Sequence, residues 1–310
     1  MVRVLGTIAI LFVLSIIVFA MMHLAPGDIV RNLLGNRPSS PEAVEAIRAQ
    51  YNLDQPLHVQ YLLWLGAALG GDFGQSIRLQ DSVANVIGAR LPITVALTGV
   101  AFAISILVAV PMGVQSAVRS GSWIDRLATG LGIVGLSAPT FAVGLVLLYV
   151  FAFYLPIFPV YGGGDGGLDT LHHLLLPGIA LALGLSAIIL KLTRTAMLRE
   201  LESDYVTFGR ARGLPEGQVR RLALRNAAIP IVTGAGLVLT FLVGGTVLAE
   251  ATFALPGLGT LLQGSVLFKD IAVVQALTLL VAVVIAVIAL LADLAYIFLD
   301  PRIRAKETSR

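Results

Sequence analysis

Long stretches without Asp, Glu, Lys or Arg dominate this chain, and they constrain its fold more than any other feature. Several reach or exceed the roughly 20 apolar residues that a helix needs to cross a bilayer. The chain is 57% hydrophobic and 13% charged, which leaves too little polar surface to cover a soluble protein of 310 residues. We therefore expect an all-α polytopic membrane protein with six transmembrane helices. The expected helices cover residues 4–22, 91–118, 127–154, 170–193, 229–249 and 271–299.

Two apolar segments allow a second interpretation. Residues 4–22 follow Arg3 and could be a signal peptide, but no small-x-small cleavage site follows Ala20, so an uncleaved first helix is favoured. Residues 251–268 are uncharged but contain Pro256, Gly257 and Gly259, which suit a straight span poorly. We expect an external re-entrant or interfacial segment over 250–270, with a seventh span as the alternative.

The positions of Lys and Arg predict the orientation of the chain. They concentrate in residues 119–126, 191–225 and 302–310, whereas residues 154–170 have none. Since cytoplasmic loops carry the excess of positive charge, both termini and the tail at 300–310 are expected in the cytoplasm. Residues 23–90 then form a small extracytoplasmic region. The net charge of +3 reflects this topology, and we expect no nucleic-acid partner.

The basic segment at 194–228 divides into two helices at a glycine. Residues 194–230 hold seven of the 21 basic residues. Gly213 suits the left-handed position that follows a helix, and Pro215 with Glu216 suits the first turn of the next one. Gly209, with Ala211 and Gly213, predicts a thin surface that another chain can approach. An ordinary basic loop is the alternative interpretation.

Other motifs point away from catalysis. The GxGxxG pattern at residues 130–135 lies inside an uncharged run, where it predicts close helix packing and not nucleotide binding. Asp293 is an acid within the last span, with a structural hydrogen bond or a place in a transport pathway as its alternatives. His172 and His173 are adjacent and point to different helix faces, so no metal site is expected. The chain has no cysteine and no GxxxxGK[ST], HExxH or GxSxG motif, so it is expected to be neither the ATPase nor any other enzyme.

Short motifs follow one another in order along nearly the whole chain. They are LAPGD at 24–28, LDQPL at 53–57, GDFG at 71–74, RLPIT at 90–94, PTF at 139–141, LTR at 192–194, DYV at 204–206, RARGL at 210–214, LRNA at 224–227, PGLG at 256–259 and LDPRIR at 299–304. This series resembles the B-type membrane subunit of the dipeptide/oligopeptide/nickel family of ABC importer permeases. The chain departs from the general importer pattern at residues 207–209, where Thr-Phe-Gly replaces the EAA triplet of the cytoplasmic loop.

The resemblance implies a type I ABC importer permease in the bacterial inner membrane. The implied partners are a homologous second permease, two cytoplasmic ATPase subunits that hold ATP and Mg, and an extracytoplasmic solute-binding protein. The implied substrates are di- or oligopeptides, with nickel chelates as a variant, and no cofactor is expected on this chain. The expected ATPase-coupling residues are Asp204, Tyr205, Gly209, Arg210, Ala211, Arg212, Gly213, Leu214 and Pro215. The expected docking or gating residues are Trp64, Pro256, Gly257 and Gly259.

An ion-gradient-driven secondary transporter is the alternative function. Such a transporter needs several ionisable residues inside the membrane and inverted repeats. The sequence offers Asp293 alone and no evident repeat, and a non-transporting scaffold would leave the proline-broken spans unexplained.

Overall fold

The structure is a computed structural model that describes residues 2–24, 30, 40–50 and 52–299. Most of the LAPGD and LDPRIR motifs and the predicted tail therefore lie outside the described residues. Within them the chain is mostly helical, and the β-structure is one isolated bridge between Gln75 and Ser82. The helices are α1 (Val2–Leu24), α2 (Pro41–Gln50), α3 (Leu57–Leu69), α4 (Val83–Val118), α5 (Trp123–Ser137), α6 (Thr140–Leu147), α7 (Gly167–Leu201), α8 (Asp204–Ala211), α9 (Glu216–Thr252), α10 (Leu258–Leu267) and α11 (Ile271–Leu299).

The long helices supply five membrane spans, or six if one bent pair of helices counts as a single span. Five of them, α1, α4, α7, α9 and α11, are long and apolar enough to cross a bilayer. Helices α5 and α6 with the π-helix Leu148–Tyr154 are apolar enough together to form one more span, third in chain order, and this pair bends by 104°. The bend falls where Ala138 and Pro139 are extended, because Pro139 lacks an amide hydrogen and restricts the residue before it. Helix α10 has ten residues, too few for a seventh span.

Several helices run beyond their expected limits. Helix α4 starts at Val83 and not at residue 91, because the Ser82 hydroxyl accepts a hydrogen bond from the Asn85 amide at 3.2 Å and caps it there. Helix α7 continues to Leu201, and α9 begins at Glu216 with Pro230 inside it. Charge marks the limit of the apolar run, whereas a helix continues into the polar region until a cap or a glycine ends it.

The chain divides into two compact units, each with its own core. Unit 1 comprises Met1–Thr94 and Pro256–Ala286. Its main core packs the start of α4 against α10 and α11. A second cluster packs α1 against α3 and α11. The main core includes Val83, Leu261, Val273 and Leu277, and the second cluster includes Phe19, Met22, Trp64 and Ile271.

Unit 2 comprises Val95–Leu255 and Val287–Arg310, and α7 packs against α5 through small residues. A Cβ placed on Gly135 would lie 2.8 Å from the Leu183 carbonyl oxygen, and one on Gly132 would lie 3.7 Å from the Ala187 Cβ. The backbones therefore approach closely, as small residues allow in membrane helices. The packing interpretation of the GxGxxG pattern is confirmed for these two glycines, whereas Gly130 faces open space.

Candidate functional site

The segment between α7 and α9, residues 202–216, forms a compact turn that we call the elbow. Helix α8 ends in a Schellman motif at Gly213, whose φ is +77°. The Gly213 amide donates to the Arg210 carbonyl at 2.9 Å, and the Leu214 amide donates to the Gly209 carbonyl at 3.1 Å. These two bonds satisfy the last carbonyls of α8, and only glycine adopts this φ without strain. The predicted left-handed position of Gly213 is confirmed.

One predicted coupling residue lies inside the elbow. Gly209 is buried, and a Cβ placed on it would lie 3.1 Å from the Leu214 Cδ1. The Leu214 side chain therefore folds back over Gly209, which is the hydrophobic contact expected of a Schellman motif. The other eight predicted residues, from Asp204 to Pro215, are exposed. The expected thin surface is thus restricted to Ala211 and Gly213.

Helix α8 has an inner and an outer face. Val206, 2% exposed, belongs to the inner face with Gly209. Phe208 is 69% exposed, and Tyr205 and Leu214 are also exposed on the elbow. The outer face of the elbow therefore presents apolar surface, most of it from Phe208.

Polar contacts tie α8 to both neighbouring helices. The Arg210 guanidinium pairs with the Glu216 carboxylate through Nε–Oε1 at 2.8 Å and Nη2–Oε2 at 3.3 Å. This pair bridges the glycine turn, and its hydrogen bond raises the pKa of Arg210. On the other side, the Tyr205 hydroxyl donates to Glu200 Oε2 at 2.8 Å. Burial is the main cause that raises the pKa of Tyr205. These contacts connect α8 to both neighbouring helices at the surface of the elbow.

An apolar cluster lies beneath the elbow, where α4, α7 and α9 meet. Met197 of α7 and Ala223 of α9 are fully buried, and Ala117 of α4 and Ala227 of α9 are nearly so. Because this cluster is tightly packed, the adjoining helix ends resist separate movement.

A partly buried ion pair lies close to the elbow, and no sequence motif predicted it. Arg194 of α7 donates to Asp125 of α5 through Nε–Oδ1 at 2.6 Å and Nη2–Oδ2 at 2.8 Å. The Ser116 hydroxyl of α4 donates to Oδ1, and the Gly121 amide donates to Oδ2 at 2.8 Å. Asp125 follows a Ser122 cap at the usual spacing for helix capping. Because capping explains Asp125 locally, the sequence gives no sign of its ion pair with Arg194.

The four predicted docking or gating residues fall into two separate contacts within unit 1. Trp64 packs against Phe19, with ring centroids 5.7 Å apart, in the α1–α3 cluster. Pro256 is exposed, whereas Gly257 and Gly259 are buried. The chain after them is anchored on α4, because the Leu258 amide donates to the Thr94 hydroxyl at 2.8 Å.

Asp293 lies partly buried on α11, and it has an interaction partner. The residue before it, Ala292, packs on α9, since a Cβ on Gly236 would lie 2.9 Å from the Ala292 Cβ. The structural and the pathway alternatives for Asp293 both stay predictions. Among the described residues, no three His, Asp or Glu side chains form a group that could hold a metal ion.

Comparisons with known proteins cover nearly the whole chain. Residues 109–305 match the family described as the inner membrane component of binding-protein-dependent transport systems, and residues 1–98 match its N-terminal family. A Brucella suis protein named as a peptide permease is 37% identical over 310 residues, with 97% of each chain covered. The glutathione transport system permease protein GsiC of Escherichia coli K12 is 36% identical over 305 residues, with 98% of each chain covered.

The fold also resembles a solved transporter. A chain of the MetNI methionine ABC transporter, crystallised in an inward-facing conformation, superposes with a TM-score of 0.58. It is 20% identical, and the match covers 69% of the present chain and 96% of that one.

Proposed function

The chain belongs to the family of inner-membrane components of binding-protein-dependent transport systems, and we propose that it imports peptides through movement of the elbow. Family membership makes it a multi-pass permease subunit of an ABC importer, with ATP hydrolysis performed by partner ATPases. Our proposal adds the substrate class, the partner surfaces and the residues that receive the ATPase.

The observation that carries the proposal is the exposed apolar surface of a compact, hydrogen-bonded elbow. Phe208 and Tyr205 project from a turn that is held by hydrogen bonds and by the Arg210–Glu216 pair. The elbow continues into α7 and α9, two of the longest helices, across short joints. A displacement imposed on Phe208 therefore passes to both spans. No catalytic group is needed on this chain for that mechanical role.

The elbow should face the cytoplasm, where ATP is available. The segment from Lys191 to Arg225 carries eight of the 21 basic residues, and positive charge favours the cytoplasmic side. We propose that each of two ATPase subunits covers one elbow, one on this chain and one on a homologous second permease. ATP and Mg are held by those ATPases.

The substrate proposal rests on the names of the relatives. Proteins about as long as this chain and similar throughout are named for peptide and glutathione transport. We therefore propose di- or oligopeptides as the cargo, delivered by an extracytoplasmic solute-binding protein. Trp64 and the segment Pro256, Gly257 and Gly259 are proposed to contribute to docking of that protein or to gating.

The test is reconstitution of the chain with the ATPases, second permease and binding protein encoded by neighbouring genes. Proteoliposomes loaded with ATP should take up labelled di- or oligopeptides, and uptake should stop when ATP is omitted. Phe208→Ala should weaken ATPase binding and lower uptake about tenfold, a typical effect of losing an aromatic anchor at an interface.

Phe241→Ala is the matched control, because Phe241 is an exposed aromatic residue of α9 outside the elbow. It should leave both ATPase binding and uptake unchanged. Peptide uptake driven by an ion gradient without any ATPase would support the secondary transporter and overturn the proposal.

A further inference from the structure

We propose that Asp125 and Arg194 form a transmission link that makes α5 follow the movement of the elbow. The inference rests on the proposed coupling role of the elbow, and it assigns these two side chains a positioning function. The elbow is joined through the chain to α7 and α9 but not to α5. Helix α5 is the first part of the sharply bent pair α5 and α6. Movement of the elbow must therefore reach α5 through contacts with neighbouring helices.

The Asp125 carboxylate binds groups from several structural elements at the same time. It is 5% exposed and accepts hydrogen bonds from Ser116 on α4, Gly121 in the intervening turn and Arg194 on α7. The Arg194 contact is bidentate, which fixes the direction of both side chains. A buried carboxylate that loses its cation is strongly unfavourable, so the link resists opening.

The link lies close to the elbow. Arg194 is seven residues before Leu201, the last residue of α7, a distance of about 10 Å along the helix. Asp125 is the third residue of α5. A movement of the elbow therefore reaches the start of α5 through only two turns of α7.

Elsewhere between α5 and α7, the described side chains form no ion pair or hydrogen bond of this kind. The helices run antiparallel, with Gly132 beside Ala187 and Gly135 beside Leu183. Such small-residue contacts permit close approach but do little to prevent one helix from sliding along the other. The Asp125–Arg194 link continues the same antiparallel pairing of residues. It prevents sliding of α5 along α7 at the end of the contact nearest the elbow.

The primary test compares uptake per ATP hydrolysed in proteoliposomes of the complete transporter. Asp125→Asn should leave assembly and basal ATP hydrolysis intact but lower this ratio about tenfold, the size of an ordinary coupling effect. Arg194→Lys keeps the charge but loses the bidentate contact, and it should lower the ratio by a smaller factor.

If Asp125→Asn assembles poorly, Arg194→Lys becomes the deciding variant. Arg199→Lys, an exposed position on the same helix, should change nothing.

A covalent rescue separates transmission from simple loss of stability. The chain has no cysteine, and the 3.7 Å between Cβ positions at residues 132 and 187 matches the usual Cβ separation of a disulfide. In the Asp125→Asn background, Gly132→Cys with Ala187→Cys should restore the ratio when oxidised and lose it again when reduced. The same cross-link in the otherwise unchanged chain should leave uptake intact.

Two results would overturn the link. An unchanged ratio of uptake to hydrolysis in Asp125→Asn, or in Arg194→Lys where that variant decides, shows that the pair transmits nothing. Abolished uptake in the cross-linked but otherwise unchanged chain shows that α5 and α7 must move apart. Failure of the proposed function is distinct, because the unmodified transporter would then show no ATP-driven uptake at all.

Discussion

At the scale of single residues, the elbow depends on the backbone conformation of Gly213. Its φ of +77° closes α8 and turns the chain toward α9, and a side chain at this position would be strained. The neighbouring Gly217 has no such requirement, since it lies inside α9 with open space around it. The two glycines therefore form a matched pair.

Gly213→Ala should destabilise the elbow by about 1–2 kcal/mol, the cost of the left-handed conformation for an alanine. Gly217→Ala should be neutral or slightly stabilising, because alanine favours a helix more than glycine does. Limited proteolysis between residues 202 and 216 of the purified chain measures the difference. Equal cleavage rates in the two variants would contradict the role given to Gly213.

Residue-scale prediction from sequence works where the cause is local. A glycine followed by Pro215 and Glu216 reveals the end of one helix and the start of the next. The Asp125–Arg194 pair lies beyond such reasoning, because its partners are 69 positions apart. Each residue also has a sufficient local explanation: Asp125 as a helix-capping acid, and Arg194 as a positive charge that sets the topology.

At the scale of helices, the glycines of α5 decide how closely it approaches α7. Gly135 points at the Leu183 carbonyl, whereas Gly130 on the same helix faces open space. The GxGxxG spacing predicted the close packing but not which of its members make it, because the rotation of a helix cannot be derived from an apolar run.

Gly135→Ala should destabilise the α5–α7 contact by about 1–3 kcal/mol, since the added methyl group meets backbone that cannot move aside cheaply. Gly130→Ala should leave stability unchanged or slightly higher. Thermal unfolding of both variants in detergent, at equal protein concentration, tests the difference. A lower midpoint for Gly130→Ala than for Gly135→Ala would refute the assigned helix face.

Helix limits were the least predictable feature at this scale. Helices α4 and α9 start eight and thirteen residues earlier than expected, at Val83 and Glu216 in place of residues 91 and 229. Pro92 and Pro230 both lie inside continuous helices, although a proline usually marks a helix start or end. Proline is tolerated there because neighbouring membrane helices and local adjustment compensate for the missing hydrogen bond.

At the scale of the whole molecule, function requires that the elbow and the loop before α7 lie on opposite sides of the membrane. The loop at residues 155–166 has no Lys or Arg, whereas the elbow and its flanks are strongly basic. This asymmetry predicts a cytoplasmic elbow and an external loop. It also predicts that the link at Asp125 lies on the cytoplasmic side, since Arg119 and Arg126 flank it.

Because the chain has no cysteine, single cysteines can report this orientation without background. Thr207→Cys on α8 should react with a membrane-impermeant maleimide in inside-out vesicles but not in intact spheroplasts. Tyr161→Cys, at a position 74% exposed in the loop before α7, should show the opposite pattern, and the unmodified chain should not react. Labelling of residue 207 from outside would place the elbow away from ATP, and neither the elbow nor the Asp125–Arg194 link could then couple hydrolysis to transport.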